Sequence, residues 1–368
     1  METKNHIPFE ATHPGSLIKD ELVSRNISQK EFALNIDMPP TMLNELIKGK
    51  RAITAEIALL LEKGLGISAE YWMRYQSGYE LDCARIKERN IRKMQLIEIW
   101  ALIKQFVPVS IFKKRGILTN SLSENISLIW EIFEVQSIEE LELSFVANKK
   151  RSYYKKSEKL TNDQLNIFAW SKLAQWSAKK EGLGQFNPQN KEKIIDDLKA
   201  LYHVKSDVIA GTKKILNENG VKFLIIEKFN QSPIDGYSFW SVDNPAMVLT
   251  LRKKTLDNFA FSVTHELGHI FEHLLPNHDE DFLDIECPEV EKSEKEHQAD
   301  RFAQQCFIEE STWQIFLKQN PKFNYQSTER NINRLADSLG LHPSIVFGRY
   351  CYETGQFKIK TTIDRTIN

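Results

Sequence analysis

The sequence predicts a mostly helical α+β protein in three parts: a five-helix N-terminal domain over residues 1–81, a helical connector over 82–200, and a C-terminal domain over 201–368 holding a small antiparallel sheet. Three observations carry this reading. Residues 13–80 break into five short apolar-periodic segments joined by tight turns. Helical periodicity then persists to about residue 215, and short β-branched runs begin only after Gly220.

The elements follow from local signals. In "NISQKEFALNI", Ser28 precedes Glu31 by three, a capping box that opens a helix. "DMPPTMLNELIKGKR" then gives a turn, Pro40 at a helix start where its missing N–H is harmless, and Gly49 as a stop. Thr54 caps "AEIALLLEKGLG" and Ser68 caps "AEYWMRYQSGYEL". In the connector, "KMQLIEIWALIKQF", "SLIWEIFE", "QLNIFAWSKLAQWSAKK" and "IIDDLKALYHV" are helical, broken by basic or Gly/Pro/Asn loops. "VKFLIIEKF", "GYSFWSV" and "AMVLTL" read as strands. A long helix from Thr255 to its stop at Pro276, an acidic loop, a helix near 294–309 and a last helical segment complete the chain.

Composition bounds the function. At 368 residues, 41% hydrophobic and 27% charged, the chain can bury two or three cores. It has no apolar run near the roughly 18 residues of a membrane span, and its start lacks the apolar core of a signal peptide, so a cytoplasmic protein without a membrane partner is expected. Cys83, Cys287, Cys306 and Cys351 show no paired spacing and read as reduced thiols. The net charge of −1 hides an asymmetry: residues 82–115 carry nine Lys/Arg against three Asp/Glu, and 277–300 carry two against ten.

The sharpest signal is "FSVTHELGHIFEHLLP". An α-helix advances about 100° per residue, so His265 and His269 project from one face about 6 Å apart and can share one ion. Val263, Leu267, Ile270 and Leu274 fall on the opposite side, as expected of a helix packed on one face and lining a cleft with the other. Glu266 stands beside the first histidine, placed to take a proton from water. His273 lies eight residues, about 12 Å of rise, from His265, too far for all three to bind one ion. It reads as a half-exposed helix histidine or a group behind the ligands.

A third ligand must come from elsewhere. In "SEKEHQADRFAQQCFIEE", Ala299, Phe302, Ala303, Cys306 and Phe307 form an apolar stripe with Glu296 and Asp300 along its edge, while Glu294 points to solvent. Glu296 is the candidate ligand, ahead of His297, and Asp300, one turn on, would orient a ligating histidine. Two histidines, a glutamate and an open fourth position make the catalytic form of zinc, one Zn2+ per chain. Such an ion polarises a carbonyl and acidifies water, with Glu266 as general base and then proton donor to a leaving amine, so peptide hydrolysis is the natural reaction. His342, Arg349 and Tyr350 are polar residues in a suggestive downstream segment, and none is assignable as the oxyanion stabiliser.

The N-terminal helices point to DNA by pattern, not by field, because residues 13–80 carry eight Lys/Arg against nine Asp/Glu. The helix after Ser28 would brace one starting near Pro40, whose exposed Thr41, Met42, Asn44, Glu45 and Lys48 would face the major groove. Gln29, Lys50 and Arg51 would contact the backbone. A helical adaptor that never touches DNA is the competing structural explanation.

Residues 13–80 resemble the Xre-type helix-turn-helix of HigA-like antidote proteins, a lambda-repressor-like fold. "FAFSVTHELGHIFEHL" followed by "EHQADRFAQQCFI" is similar to the HExxH and ExxAxxFA motifs of ImmA/IrrE-type metallopeptidases, which are zincin-like. The resemblance supports His265, Glu266, His269 and Glu296, and departs from the family where Gln298 replaces a glutamate often found before the alanine. It implies a homodimeric repressor on a double-stranded DNA operator, fused to a zinc peptidase that cuts a regulatory protein or itself, with a protein substrate or a cognate toxin as partner. The second function implied is a non-catalytic antitoxin or repressor whose C-terminal domain senses a metal or a partner.

Overall fold

The computed structural model describes residues 8–151, 162–229, 232–285, 293–322 and 324–367. The chain divides into two compact units, Met1–Ala101 and Leu102–Asn368.

In the first unit, α1 (Gly15–Ser24), α2 (Gln29–Asn35), α3 (Pro40–Ile47), α4 (Ala55–Leu65) and the start of α5 (Ala69–Phe106) enclose one apolar core. The caps read from sequence are present: Ser28 Oγ accepts from Glu31 N at 3.2 Å, Thr54 Oγ1 from Ile57 N at 3.4 Å, and Ser68 Oγ from Tyr71 N at 3.3 Å. Phe32, Leu43, Leu46, Leu61 and Trp72 are buried, each contributing on the order of 1.5–3 kcal/mol through the area it removes from water. α2 and α3 are set at their angle by a turn in which Asp37 is left-handed (φ 51°) and Met38 N–H donates back to Ala33 O at 2.9 Å.

The boundary at residue 81 falls inside α5, which runs unbroken for 38 residues. From Tyr79 to Phe106 the chain holds neither Pro nor Gly, so nothing stops the helix until Pro108.

The second unit begins with α6 (Val109–Lys114), α7 (Leu122–Phe133), α8 (Ile138–Arg151) and α9 (Asn162–Lys179). These helices lie in the stretch that reads as a connector, yet α9 packs directly on the sheet. Trp170 Nε1 donates to Glu227 O at 3.1 Å, and Gln175 Nε2 donates to the Tyr237 hydroxyl at 2.7 Å. α10 (Lys191–Val204) and α11 (Val208–Glu218) lead into β1 (Lys222–Ile225), β2 (Ile234–Ser241) and β3 (Asn244–Leu249).

The sheet is mixed, not antiparallel. Its order is β1-β3-β2-β4, with β1 parallel to β3 and the other pairs antiparallel. β2 and β3 form a tight hairpin whose outer edge on β2 is taken by β4, and β1 extends the sheet beyond β3, running in β3's direction. β4 (Asp281–Ile285) lies in the stretch that reads as an acidic loop. There Phe282 and Leu283 supply the apolar side chains, and flanking carboxylates disguise the strand.

The long helix also departs from expectation. It is α-helical only over α12 (Leu256–Gly268) and becomes π-helical over His269–Leu274, with Leu275 N–H donating to Ile270 O at 3.0 Å. Val263, Leu267, Ile270 and Leu274 are fully buried in the core between α10, α11, the sheet and α12. α13 (Glu294–Phe307) packs along α12, and α14 (Glu310–Gln319), α15 (Tyr325–Leu339) and α16 (Pro343–Thr354) close a second core around Trp313 and Tyr350. No described helix is long and apolar enough to cross a membrane. Among the cysteines, Cys83 is exposed and Cys306 and Cys351 are buried free thiols; Cys287 lies outside the described residues.

Candidate functional site

α12 and α13 together build a cluster of ionisable groups. Their approach is close where Gly268 faces α13: a Cβ there would lie 3.1 Å from Ala299 Cα and 3.2 Å from Phe302 Cβ. This explains a glycine in mid-helix, where it costs about 1 kcal/mol against alanine. The approach brings Glu296, half-buried at the first turn of α13, against His265 and His269, which are 2% and 1% exposed.

Donor atoms of three residues face one another. His265 Nε2 lies 3.2 Å from His269 Nε2 and 3.2 Å from Glu296 Oε2, and His269 Nε2 lies 3.5 Å from Glu296 Oε1. A tetrahedral ion with bonds near 2.0–2.1 Å has ligand–ligand edges of about 3.4 Å. The spacings between these side chains are close to such an edge, and His265, His269 and Glu296 could hold a metal ion. Asp300 Oδ1 stands 3.0 Å from His265 Nδ1, behind the nitrogen that faces the cluster. His297 is exposed and takes no part in the triangle.

Glu266 is 1% exposed and turned toward β2, where the Ser238 hydroxyl donates to its Oε2 at 2.6 Å. Residues two apart on a strand share a face, so Gly236 stands beside Ser238, and a Cβ on Gly236 would overlap Glu266 Oε1. Asp284 on β4 brings a carboxylate oxygen within 4.8 Å of both His265 and Glu266 ligand atoms. Gly236→Ala should displace the Glu266 side chain and destabilise the protein by about 1–3 kcal/mol, the usual penalty for overpacking. An unchanged thermal midpoint would mean that this contact is not tight.

The cluster's electrostatics follow from burial set against pairing. Burial pushes Glu266 up to about 8; His265 and the Ser238 hydrogen bond pull against it, and Asp284 and Glu296 add to the rise. Burial also works on His265, downward, but hydrogen bonds to Asp300 and Glu296 outweigh it and hold the imidazole up at about 10. Burial brings His269 down to about 4. Glu296 is held well below the usual carboxylate range: burial opposes ionisation, and the neighbouring His265 and His269 imidazoles overcome it.

His273 is not half-exposed. It is 5% exposed, and its Nδ1 lies 3.1 Å from His269 Nδ1. Glu272 stays at the surface, paired with Lys191 at 2.9 Å. Of the downstream polar residues, His342 caps α16 through Ser344 N, and Tyr350 OH donates to Asn320 O at 3.2 Å. Arg349 is bound to the end of α13, donating to Ile308 O at 2.7 Å and Gln304 O at 3.1 Å. The residue of that segment that reaches the cluster is Tyr352, whose hydroxyl lies 3.4 Å from Asp300 Oδ2. Ser238, Gly236, Asp284 and Tyr352 escape sequence reasoning because each arrives from a separate element with no motif of its own.

In the first unit, Thr41 and Asn44 are exposed along α3, Pro40 is exposed at its start and Lys48 at its C-terminal cap, and Gln29, Lys50 and Arg51 are exposed around it. Met42 differs from expectation: it is half-buried and packs on the domain core. Glu45 accepts a 2.9 Å hydrogen bond from Arg51 Nε, so the acid on this face is screened by a neighbouring cation.

Comparison with known proteins bears on this unit. A Helix-turn-helix family model matches residues 18–72. Virulence-associated protein I of Dichelobacter nodosus is 33% identical over 89 residues, 24% of this chain and 81% of that protein. The "Uncharacterized HTH-type transcriptional regulator YddM" of Escherichia coli is 32% identical over 81 residues, 22% of this chain and 81% of that protein. Among solved structures, an addiction module antidote protein of the HigA family from Coxiella burnetii is 29% identical, with 23% of this chain and 95% of that chain covered and a TM-score of 0.22. Antitoxin HigA of Pseudomonas aeruginosa, solved with the higBA promoter, is also 29% identical, covering 23% and 91% with a TM-score of 0.21. Through this N-terminal quarter, the chain belongs to the Helix-turn-helix family.

Proposed function

We propose that this chain is a DNA-binding transcriptional regulator, antitoxin-like at its N-terminus, whose second unit is a zinc-dependent peptidase acting on a regulatory protein or on the chain itself. The observation that carries the peptidase is the triangle of donor atoms on His265, His269 and Glu296 with a buried carboxylate, Glu266, beside it. A metal sensor needs the triangle but not Glu266.

A divalent ion held by these residues supplies a Lewis acid that polarises a carbonyl and acidifies water. Glu296 provides charge, and His269 arrives neutral. Asp300 engages His265 Nδ1, which would leave Nε2, on the Glu296 side, to ligate. Glu266 accepts the proton of the attacking water and returns it to the leaving amine. Ser238 holds that carboxylate in place.

His265, held up at about 10 by its carboxylate neighbours, must lose a proton before it ligates. Protons and zinc therefore compete, and the apparent zinc affinity should rise about tenfold per pH unit from 6 to 8. Chelator competition at three pH values measures the slope; a flat profile would remove His265 from the ligand set.

At the other end, α3 enters a major groove with Thr41, Asn44 and Lys48 at base edges, and Gln29, Lys50 and Arg51 on phosphates. Support comes from the exposure of this face and from the Escherichia coli relative's name as a transcriptional regulator. A homodimer on a two-fold operator suits this mode of binding. Asn44→Ala should weaken binding to DNA from the chain's own promoter region by about 1–3 kcal/mol, and Lys50→Ala should lower the salt slope by about one. Gel-shift titrations at several salt concentrations test both, and indifference to salt and to Asn44 would leave a helical adaptor.

A further inference from the structure

We infer that His273 and Gln298 form a hydrogen-bonded chain that positions His269 as a metal ligand, making His273 a positioning residue of the proposed centre. The inference rests on the metal reading above and adds residues to it.

Proton bookkeeping fixes the direction of the chain. Gln298 Oε1 lies 2.9 Å from His273 Nε2, and Gln298 Nε2 donates toward Glu294 Oε1 at 3.4 Å. The amide thus turns its oxygen, which only accepts, toward the imidazole, so His273 Nε2 carries the proton and donates. In a neutral imidazole the other nitrogen is then an acceptor. His273 Nδ1, 3.1 Å from His269 Nδ1, takes the proton that His269 carries there. His269 Nε2 is left as a bare lone pair, and that nitrogen faces His265 Nε2 and Glu296.

The rings are also held mechanically. Phe282 of β4 stacks on His269 at 4.3 Å and 16°, and lies 5.1 Å from His273. Both histidines sit in the π-helical segment, a local widening of the helix that recurs at functional sites. The two ligating histidines are therefore served by different partners: His265 by the carboxylate of Asp300, His269 by the His273 imidazole, whose far end reaches an exposed glutamine. Groups behind a ligand that fix its tautomer typically change metal affinity 10–100-fold when removed.

The test is zinc affinity of the full chain by chelator competition, together with the thermal midpoint of chelator-treated protein. His273→Leu removes the acceptor and should weaken zinc binding at least tenfold while the chelator-treated midpoint stays within the range of the other variants. His273→Gln keeps an acceptor oxygen and should recover most of that loss. Gln298→Ala should weaken binding only a few-fold, since water reaches this exposed end. Zinc binding by His273→Leu equal to wild type, or a loss that His273→Gln does not restore, overturns the chain while leaving the metal centre standing. Failure of the wild-type chain to bind zinc, or undiminished binding in Glu296→Gln, would instead overturn the metal reading and the chain with it.

Discussion

Glu266→Gln should leave zinc uptake at one ion per chain and lower cleavage of a co-expressed partner protein by about 10²–10⁴-fold, the usual contribution of a positioned general base. The substitution is close to isosteric, and the amide oxygen can still accept from Ser238, so the packing against Gly236 and β2 is kept. What is lost is a carboxylate able to take a proton. Burial places Glu266 near 8 from the protein groups alone, and a divalent cation beside it would draw that value down toward neutrality, where a base works best. If the variant keeps both zinc and full cleavage or regulatory output, the enzyme reading fails. The second unit would then be a sensor of metal or partner.

The second large effect concerns stability. Arg349→Ala should destabilise the second unit by about 3 kcal/mol or more, as expected when one partner of a buried charge network is removed. The Arg349 side chain is 6% exposed and donates to two carbonyls at the C-terminus of α13: Gln304 O, which also accepts the Ile308 N–H, and Ile308 O just past the last turn. It also pairs with Glu353 at 2.8 Å and Glu310 at 2.6 Å and lies over the Trp313 ring. Glu310 is about half exposed, so that pair contributes little; the capped carbonyls and Glu353 carry the effect. Because α13 also bears Glu296 and Asp300, loosening its end should weaken zinc binding as well. Urea unfolding of the chelator-treated chain measures the first effect, and a change under about 1 kcal/mol would show that α13 is held by packing alone.

The network explains why the segment around Arg349 looked functional in the sequence. A cation among apolar residues signals a buried charge, and buried charges occur both at sites and in frameworks. His342, Arg349 and Tyr350 are framework residues here. Tyr352, two residues on, is the one beside the cluster, and nothing in its local pattern separates it from Tyr350.

What the sequence determined alone is what short-range geometry controls. The caps at Ser28, Thr54 and Ser68, the stop at Gly49 and the breadth of the helix-turn-helix follow from contacts three or four residues apart. The facing of His265 and His269, and the choice of Glu296 with Asp300 along one edge of α13, follow from helical periodicity. The tertiary structure alone decided the rest, because those features depend on how separate elements approach. The sheet is mixed because β1 adds beyond β3 in β3's direction, and β4 forms because a partner strand outweighs its acidic composition. Ser238, Gly236 and Asp284 reach Glu266 and its neighbours across the fold, from strands with no motif of their own. His273 joins the site through the nitrogen that sequence distance ignores: too far along the helix to share the ion with His265, it is one turn from His269 and acts from behind it.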